Sequence, residues 1–324
     1  MSATRKLGPF QISPIGLGCM PMSAFPPDRP GILDRRDSVI EVIHTALDNG
    51  LTLLDTADIY APSWNTMGHN ERLVAEAFRT WSGSAEKKSA VVIATKGGIT
   101  RKPGADWLGT VGRNLTEDYL YRAVEASAAR LGVDKIQLWQ QHRLNDTMPF
   151  EEQMENVFKL RAHGIVQNIG LSNVSAEQLR RAIKIGGSVK DGGVVSVQNE
   201  WSPRYRNGED VRQLCEAEGI AFLTFSPLGG VIRSKELADD KYNKWHQIAT
   251  AKGVSTYALT IAWHLASSPV AIPIPGSTRK ESILDTMSGL KVQLSASELA
   301  ELNEALPPND PVHPLLGAQP PFRD

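Results

Sequence analysis

The stretch LTLLDTADIY, residues 51–60, decides how the chain is read. It opens as a short apolar run, closes that run with a carboxylate at Asp55, and turns polar before Tyr60. Downstream, Glu71 to Thr80 places apolar residues three and four apart, the spacing that gives a helix one apolar face. A short strand followed by an amphipathic helix is one βα unit, and the unit repeats. Similar runs occur as SPIGLG (13–18), VVIAT (91–95), KIQLW (135–139), IVQNIGL (165–171), GVVSVQ (193–198), IAFLTF (220–225) and VAIPI (270–274), which with LTLLD (51–55) makes eight. Helical spacing lies between them, in Ser38 to Asp48, Asp118 to Arg130, Phe150 to Ala162 and Glu177 to Lys184. Asp37 and Ser175 stand where N-caps belong, and Gly132 and Gly219 where a left-handed C-cap favours glycine.

Eight such units predict an α/β fold, a (β/α)8 TIM barrel, as one domain over residues 1–324. The barrel would carry a short N-terminal extension, a helical insertion before the last strand (Asp239 to Lys252 and Thr256 to Ser267) and a Pro-rich tail from Pro307 to Asp324. A doubly wound open sheet also alternates strand and helix. It would need a G-x-G-x-x-G turn opening a helix, and the first run here leads through GLGCMPM into a Pro-rich loop instead.

Composition excludes several classes. With 324 residues, 41% hydrophobic and 22% charged, the chain can bury a full core. A net charge of −1 without a Lys/Arg run gives no footprint for nucleic acid. Two cysteines, Cys19 and Cys215, make neither a disulfide framework nor a Cys-rich metal site. The histidines outside the strand ends (His44, His69, His163, His246, His264, His313) show no metal-ligand spacing, so no metal is expected. The start, MSATRKLGPF, lacks the apolar region of a signal peptide, and no run is long enough to span a bilayer. The expectation is a cytoplasmic protein with no membrane partner and an oligomeric state left open.

In a (β/α)8 barrel the chemistry sits at the C-terminal ends of the strands, where the βα loops converge. The runs end in Asp55 with Tyr60 close behind, in Lys96, in His142, in Ser172 and Asn173, in Gln198 and Asn199, and in Phe225 and Ser226, while the last leads into IPGSTRK. Any one such residue is more often a cap or a surface group. An acid, a phenol, an amine and an imidazole leaving three successive strands on one rim form a site with a mechanism.

Seven strings, LLDTADIY, VVIATKGG, IQLWQQHR, IGLSNVS, VSVQNEWSP, FSPLGG and IPIPGSTRK, resemble in order the signatures of the aldo-keto reductase superfamily, from about Leu7 to about Glu301. ATKGG, QHR and IPIPGS further resemble its bacterial pyridoxal reductase or pyridoxine dehydrogenase branch.

The resemblance implies NADP(H)-dependent reduction of an aldehyde or ketone to the alcohol, with NAD(H) less favoured. It implies a catalytic tetrad of Tyr60, Lys96, Asp55 and His142. Hydride addition leaves negative charge on the carbonyl oxygen, so a proton donor is required. Tyr60 would donate, Lys96 would pull its pKa down from about 10, Asp55 would keep Lys96 charged, and His142 would orient the carbonyl. Ser172, Asn173 and Gln198 would hold the carboxamide and Phe225 would stack on the nicotinamide, where most of the family has Tyr or Trp. Gly18, Cys19 and Met20, then Ser226, Pro227, Leu228, Gly229 and Gly230, would line the cofactor path. Gly276, Ser277, Thr278 and Arg279 would meet the phosphate monoester, and Asp285 and Thr286 the adenine. Trp64, Trp107, Trp201 and Tyr205, in loops over the rim, are candidate substrate contacts, and Ile99 to Leu115 with Arg101, Lys102 and Trp107 a candidate lid.

Two alternatives differ in class. One is a nicotinamide-binding barrel that acts as a sensor or docking subunit with little turnover. The other is a barrel lyase or isomerase using Lys96 as a free amine.

Overall fold

The computed structural model describes residues 4–23, 35–101, 111–230 and 234–306. The Pro-rich tail, and Lys102 and Trp107 of the expected lid, lie outside the described residues.

A hairpin of β1 (Arg5–Leu7) and β2 (Phe10–Ile12) precedes the main sheet. Eight parallel strands follow: β3 (Leu17–Gly18), β4 (Leu53–Asp55), β5 (Val92–Gly97), β8 (Leu138–Gln141), β9 (Ile169–Ser172), β10 (Val194–Glu200), β11 (Ala221–Phe225) and β12 (Ala271–Pro273), adjacent in that order. The two ends of the sheet meet. Gly16 N–H bonds the Pro273 carbonyl at 3.0 Å, Gly18 N–H the Pro275 carbonyl at 3.0 Å, and Gly18 pairs with Gly276. A Cβ on Gly18 would stand 2.7 Å from the Ile274 carbonyl oxygen, so the closure requires glycine there. β8 and β9 begin later than their apolar runs because Ile136 and Val166 make only an isolated bridge. A ribbon of β6 (Ile99–Arg101) and β7 (Val111–Arg113) rises after β5.

Helices cover the sheet, among them α1 (Arg36–Asp48), α2 (His69–Thr80), α3 (Ala85–Ser89), α4 (Glu117–Leu131), α5 (Phe150–Ala162), α6 (Ala176–Gly186) and α7 (Glu209–Glu218). Two more, α8 (Asn243–Ala251) and α9 (Thr256–Ser267), lie between β11 and β12, and α10 (Lys280–Ser288) and α11 (Ala296–Glu304) follow β12. Ser175 caps α6 with a reciprocal pair: its hydroxyl takes the Gln178 N–H at 3.1 Å and the Gln178 side chain takes the Ser175 N–H at 2.9 Å. Gly132 and Gly219 end α4 and α7 at φ of +69° and +68°. Asp37 is not a cap. It lies in the first turn of α1, which starts after Arg35, and its carboxylate takes the Arg36 guanidinium at 2.8 Å.

Strand alternation decides what the barrel holds. Leu54, Ile93 and Trp139 point outward to the helices, while Leu53, Val92, Ala94 and Leu138 fill the interior with Leu223 and Ile272. Leu7 and Ile12 of the hairpin join that inner cluster and plug one end of the barrel. Two residues further along the same inward rows stand Asp55, Lys96 and Gln140, so the interior is apolar below and polar at the mouth. On β10 a bulge between Val194 and Ser196 reverses the phase: Val195 is inside, Val197 outside, and Gln198 therefore turns in. No described helix is long and apolar enough to cross a membrane, and no metal-binding group of His, Cys, Asp or Glu occurs among the described residues.

Candidate active site

The Lys96 ammonium donates to Asp55 Oδ2 at 2.6 Å and to the Thr56 carbonyl at 2.8 Å, with both side chains of the pair 3% exposed or less. Asp55 Oδ1 accepts from the Gln198 amide at 2.8 Å and from the Gln140 amide at 3.2 Å. A buried ion pair survives only when its remaining hydrogen-bonding capacity is met, and here two carboxamides meet it. The same ammonium lies 5.1 Å from the Tyr60 ring centre, so its charge acts on the Tyr60 phenol. The loop holding Tyr60 is tied down by Asp58 N–H to the Lys96 carbonyl at 3.1 Å and by Asn70 N–H to the Tyr60 carbonyl at 3.1 Å. His142 follows β8 with its N–H on the Gly97 carbonyl at 3.0 Å, and its ring stands edge-on to Tyr60, 5.7 Å between centres at 85°. The tetrad read from the sequence thus converges.

Its protonation differs from expectation in one respect. Burial pushes the Tyr60 phenol up and outweighs the downward pull of Lys96, so the net shift is above the ordinary value. Burial alone would strip the Lys96 proton, but Asp55 and Tyr60 oppose it and leave the ammonium more firmly charged than usual. Burial, then Lys96 and Arg143, hold His142 well below its ordinary value and therefore neutral. At neutral pH the mouth presents a protonated phenol, a charged ammonium and a neutral imidazole. With its ammonium committed to Asp55 and the Thr56 carbonyl, Lys96 is poorly placed to act as a free amine of the lyase or isomerase kind.

The cofactor candidates are spread along the rim. Asn173 adopts a left-handed φ of +58°, and its amide donates to the His142 carbonyl at 3.1 Å and to the Ser172 hydroxyl at 2.9 Å. The Ser172 hydroxyl donates to the Gln198 carbonyl at 2.7 Å. That arrangement leaves Asn173 Oδ1 as an acceptor. The Gln198 Nε2 donates to Asp55 Oδ1 at 2.8 Å and to Gln140 Oε1 at 3.3 Å. Phe225 is half-buried at the end of β11, and the chain then turns tightly through Ser226 (φ +50°) and Pro227, with Gly229 N–H on the Ser226 carbonyl at 2.8 Å. Leu228, Gly229 and Gly230 stay half-exposed there. Cys19 is fully buried, its N–H on the Asp55 carbonyl at 2.8 Å and its carbonyl taking the Asn70 amide at 2.8 Å, while Met20 is half-buried.

Between β12 and α10, the Ser277 hydroxyl folds the loop by donating to the Arg279 carbonyl at 2.8 Å. Gly276 and Arg279 are exposed and Thr278 half-buried. Asp285 is half-buried and Thr286 buried on α10. Asp285 accepts the Ser255 hydroxyl at 2.7 Å, and buried Thr286 donates to the Ser282 carbonyl at 2.7 Å.

Of the substrate candidates, Trp64 is 39% exposed in the loop beyond Tyr60. Tyr205 is half-buried and lines a small cavity with Glu200 and Leu228. Trp201 is not a wall of the mouth: it is 1% exposed and stacks on Trp263 at 4.6 Å and 25°, inside the core. The sequence reading missed Gln140 and Arg143. Gln140 was within reach, because period-two alternation from Leu138 aims it into the barrel with His142 beyond.

Residues 31–307 match the model of the aldo/keto reductase family. A probable aldo-keto reductase of Glycine max is 31% identical, covering 93% of this chain and 87% of its own length. An uncharacterized oxidoreductase of Schizosaccharomyces pombe is 28% identical over 94% of this chain and 90% of its own. Among solved structures, a thermostable aldo-keto reductase in complex with the inhibitor epalrestat superposes with a TM-score of 0.75 at 25% identity, over 93% of this chain and 99% of its own. An aldo/keto reductase from Klebsiella pneumoniae in complex with NADP and acetate gives 0.73 at 23% identity, over 96% and 98%. Eight parallel strands, a sheet whose two ends meet and a family match over most of its length agree: the chain belongs to the aldo/keto reductase family.

Proposed function

We propose that this protein reduces an aldehyde or ketone to its alcohol with NADPH, reversibly, with Tyr60 as the proton donor. The observation that carries the reading is the buried Asp55–Lys96 pair with its ammonium 5.1 Å from the Tyr60 ring centre at the barrel mouth. When bound, the dinucleotide supplies a hydride to the carbonyl carbon. Tyr60 then gives its proton to the oxygen, Lys96 stabilises the phenolate left behind, and Asp55 keeps Lys96 charged. Neutral His142 directs the carbonyl oxygen toward Tyr60.

The residues present fit the cofactor. Asn173 Oδ1 would accept from the carboxamide, half-buried Phe225 would give the ring a flat face, and the Leu228 to Gly230 turn would let a pyrophosphate approach bare backbone. Arg279 and Lys280 at the start of α10 would take the ribose phosphate, which favours NADP over NAD. Lys280 is partly committed to Glu41 at 2.6 Å, so Arg279 carries more of that role. Arg279→Ala should weaken NADPH binding about 20-fold, the scale of a lost charge-assisted contact, and leave NADH unchanged. Titration by fluorescence quenching measures both, and equal affinities for the two dinucleotides before and after would remove the phosphate role.

The protonation states set a pH dependence. Reduction uses protonated Tyr60 and neutral His142, whose pKa values are displaced upward and well downward. The kcat/KM for reduction should therefore stay level from about pH 6.5 to 10, the ordinary His and Tyr values, and fall only outside that range. A loss of activity on acidification through the ordinary histidine range would contradict the neutral imidazole. Likeness of ATKGG, QHR and IPIPGS to the pyridoxal reductase branch makes pyridoxal a first substrate to try. A cytoplasmic place of action and a small-molecule carbonyl or alcohol partner belong to the same proposal.

A further inference from the structure

Arg143 stands one residue beyond His142, half-buried on the chain leaving β8. Among the described residues no hydrogen bond or ion pair holds its guanidinium. Its neighbour Arg113, in contrast, is bound by the Leu144 carbonyl at 2.9 Å and by Asp146 at 3.1 Å. The charges and phenols that act on Arg143 are Arg113, Glu200, Tyr60 and Tyr205, so the proton donor and the loop carrying Glu200 and Tyr205 lie within its electrostatic reach. Glu200 lies within electrostatic reach but makes no ion pair with Arg143, and it has an interaction of its own.

A guanidinium offers five N–H donors in a planar fork shaped for a carboxylate or phosphate. Keeping that fork half-buried and unpaired is unfavourable, and the unfavourable term is relieved when an anion arrives. Burial and Arg113 both depress the Arg143 pKa, and Glu200, Tyr60 and Tyr205 offset them only in part. A solvated surface arginine would show neither the burial nor the position beside a substrate-orienting histidine.

We propose that Arg143 recognises an anionic group on the substrate, so the carbonyl compound this protein reduces carries a carboxylate or a phosphate away from its carbonyl. The proposal rests on the reductase reading above and narrows it.

Two substrate pairs test it. Para-formylbenzoate is compared with its methyl ester, which has the same aldehyde without the charge, and glyceraldehyde phosphate with glyceraldehyde. The wild type should favour one charged member by about tenfold or more in kcat/KM, and the pair that shows the preference identifies carboxylate or phosphate. Arg143→Gln should lower the charged substrate about 30-fold and leave the neutral one within about twofold, with Arg143→Lys in between. Removing an unpaired arginine strands no partner, so the melting temperature of Arg143→Gln should match the wild type.

A binding measurement separates this inference from the reading beneath it. Calorimetry of para-(hydroxymethyl)benzoate and of inorganic phosphate with NADP-loaded protein needs no turnover. A wild-type affinity for either that is lost in Arg143→Gln supports the anion site even if no aldehyde is reduced. The proposal is overturned if charged and neutral substrates fall together, if neither anion binds through Arg143, or if the variant weakens NADPH binding instead, which would assign Arg143 to the cofactor.

Discussion

Tyr60→Phe is expected to lower kcat for aldehyde reduction by about a thousandfold, within the range a positioned general acid supplies, while the NADPH dissociation constant stays within about threefold. The substitution removes one oxygen and keeps the ring that meets His142 edge-on. Lys96 retains Asp55 at 2.6 Å and the Thr56 carbonyl at 2.8 Å, so its charge remains satisfied and the fold should lose only about 1 kcal/mol, one hydrogen bond's worth. Steady-state kinetics with thermal melting checks both halves. A variant that turns over at the wild-type rate would show that the proton comes from elsewhere.

The Asp55–Lys96 pair should give the largest effect on stability. Lys96→Met leaves a carboxylate in a site at most 3% exposed, and breaking one side of such a pair typically costs about 3–5 kcal/mol. The Gln140 and Gln198 amides still donate to Asp55, which places the expected loss near 3 kcal/mol, the lower end of that range. In Asp55→Asn/Lys96→Met no charge is buried, so most of the stability should return while reduction remains abolished. Urea denaturation of the two variants separates these outcomes. If the single substitution costs no more than the double, the pair does not act as a coupled buried charge.

Much of this site was legible before any coordinates because a strand's period is two and a barrel's mouth is fixed. Once LTLLD and VVIAT are strands, Asp55 and Lys96 must share the inner row with Leu53 and Ala94 beneath them. What the sequence hides is what side chains choose among several partners. Gln198 reads as a free carboxamide, but the bulge at Val194 to Ser196 turns it inward to Asp55. Trp201 reads as a loop aromatic over the pocket, whereas its preferred surface is the face of Trp263, more than sixty residues away. Asp285 and Thr286 sit on a helix whose rotation about its axis no spacing rule specifies. At Tyr60 the downward pull of Lys96 is met by burial, since charge neighbours can be read from motifs but depth of burial cannot. Glu71, which the helical pattern marks only as polar, is fully buried, paired with Arg130 at 2.5 Å and accepting the Thr95 hydroxyl at 2.6 Å.

The central claim is that the charged, hydrogen-bonded mouth turns over a carbonyl and does more than hold a dinucleotide. Rapid mixing of protein preloaded with one equivalent of NADPH against pyridoxal, aromatic aldehydes, ketosteroids and sugars, followed by nicotinamide absorbance, measures it directly. At least one compound should discharge the reduced nicotinamide in a single exponential, with one alcohol formed per NADPH consumed. Tight NADPH binding with no discharge against any of them would contradict the claim and leave a barrel that senses its cofactor without using it.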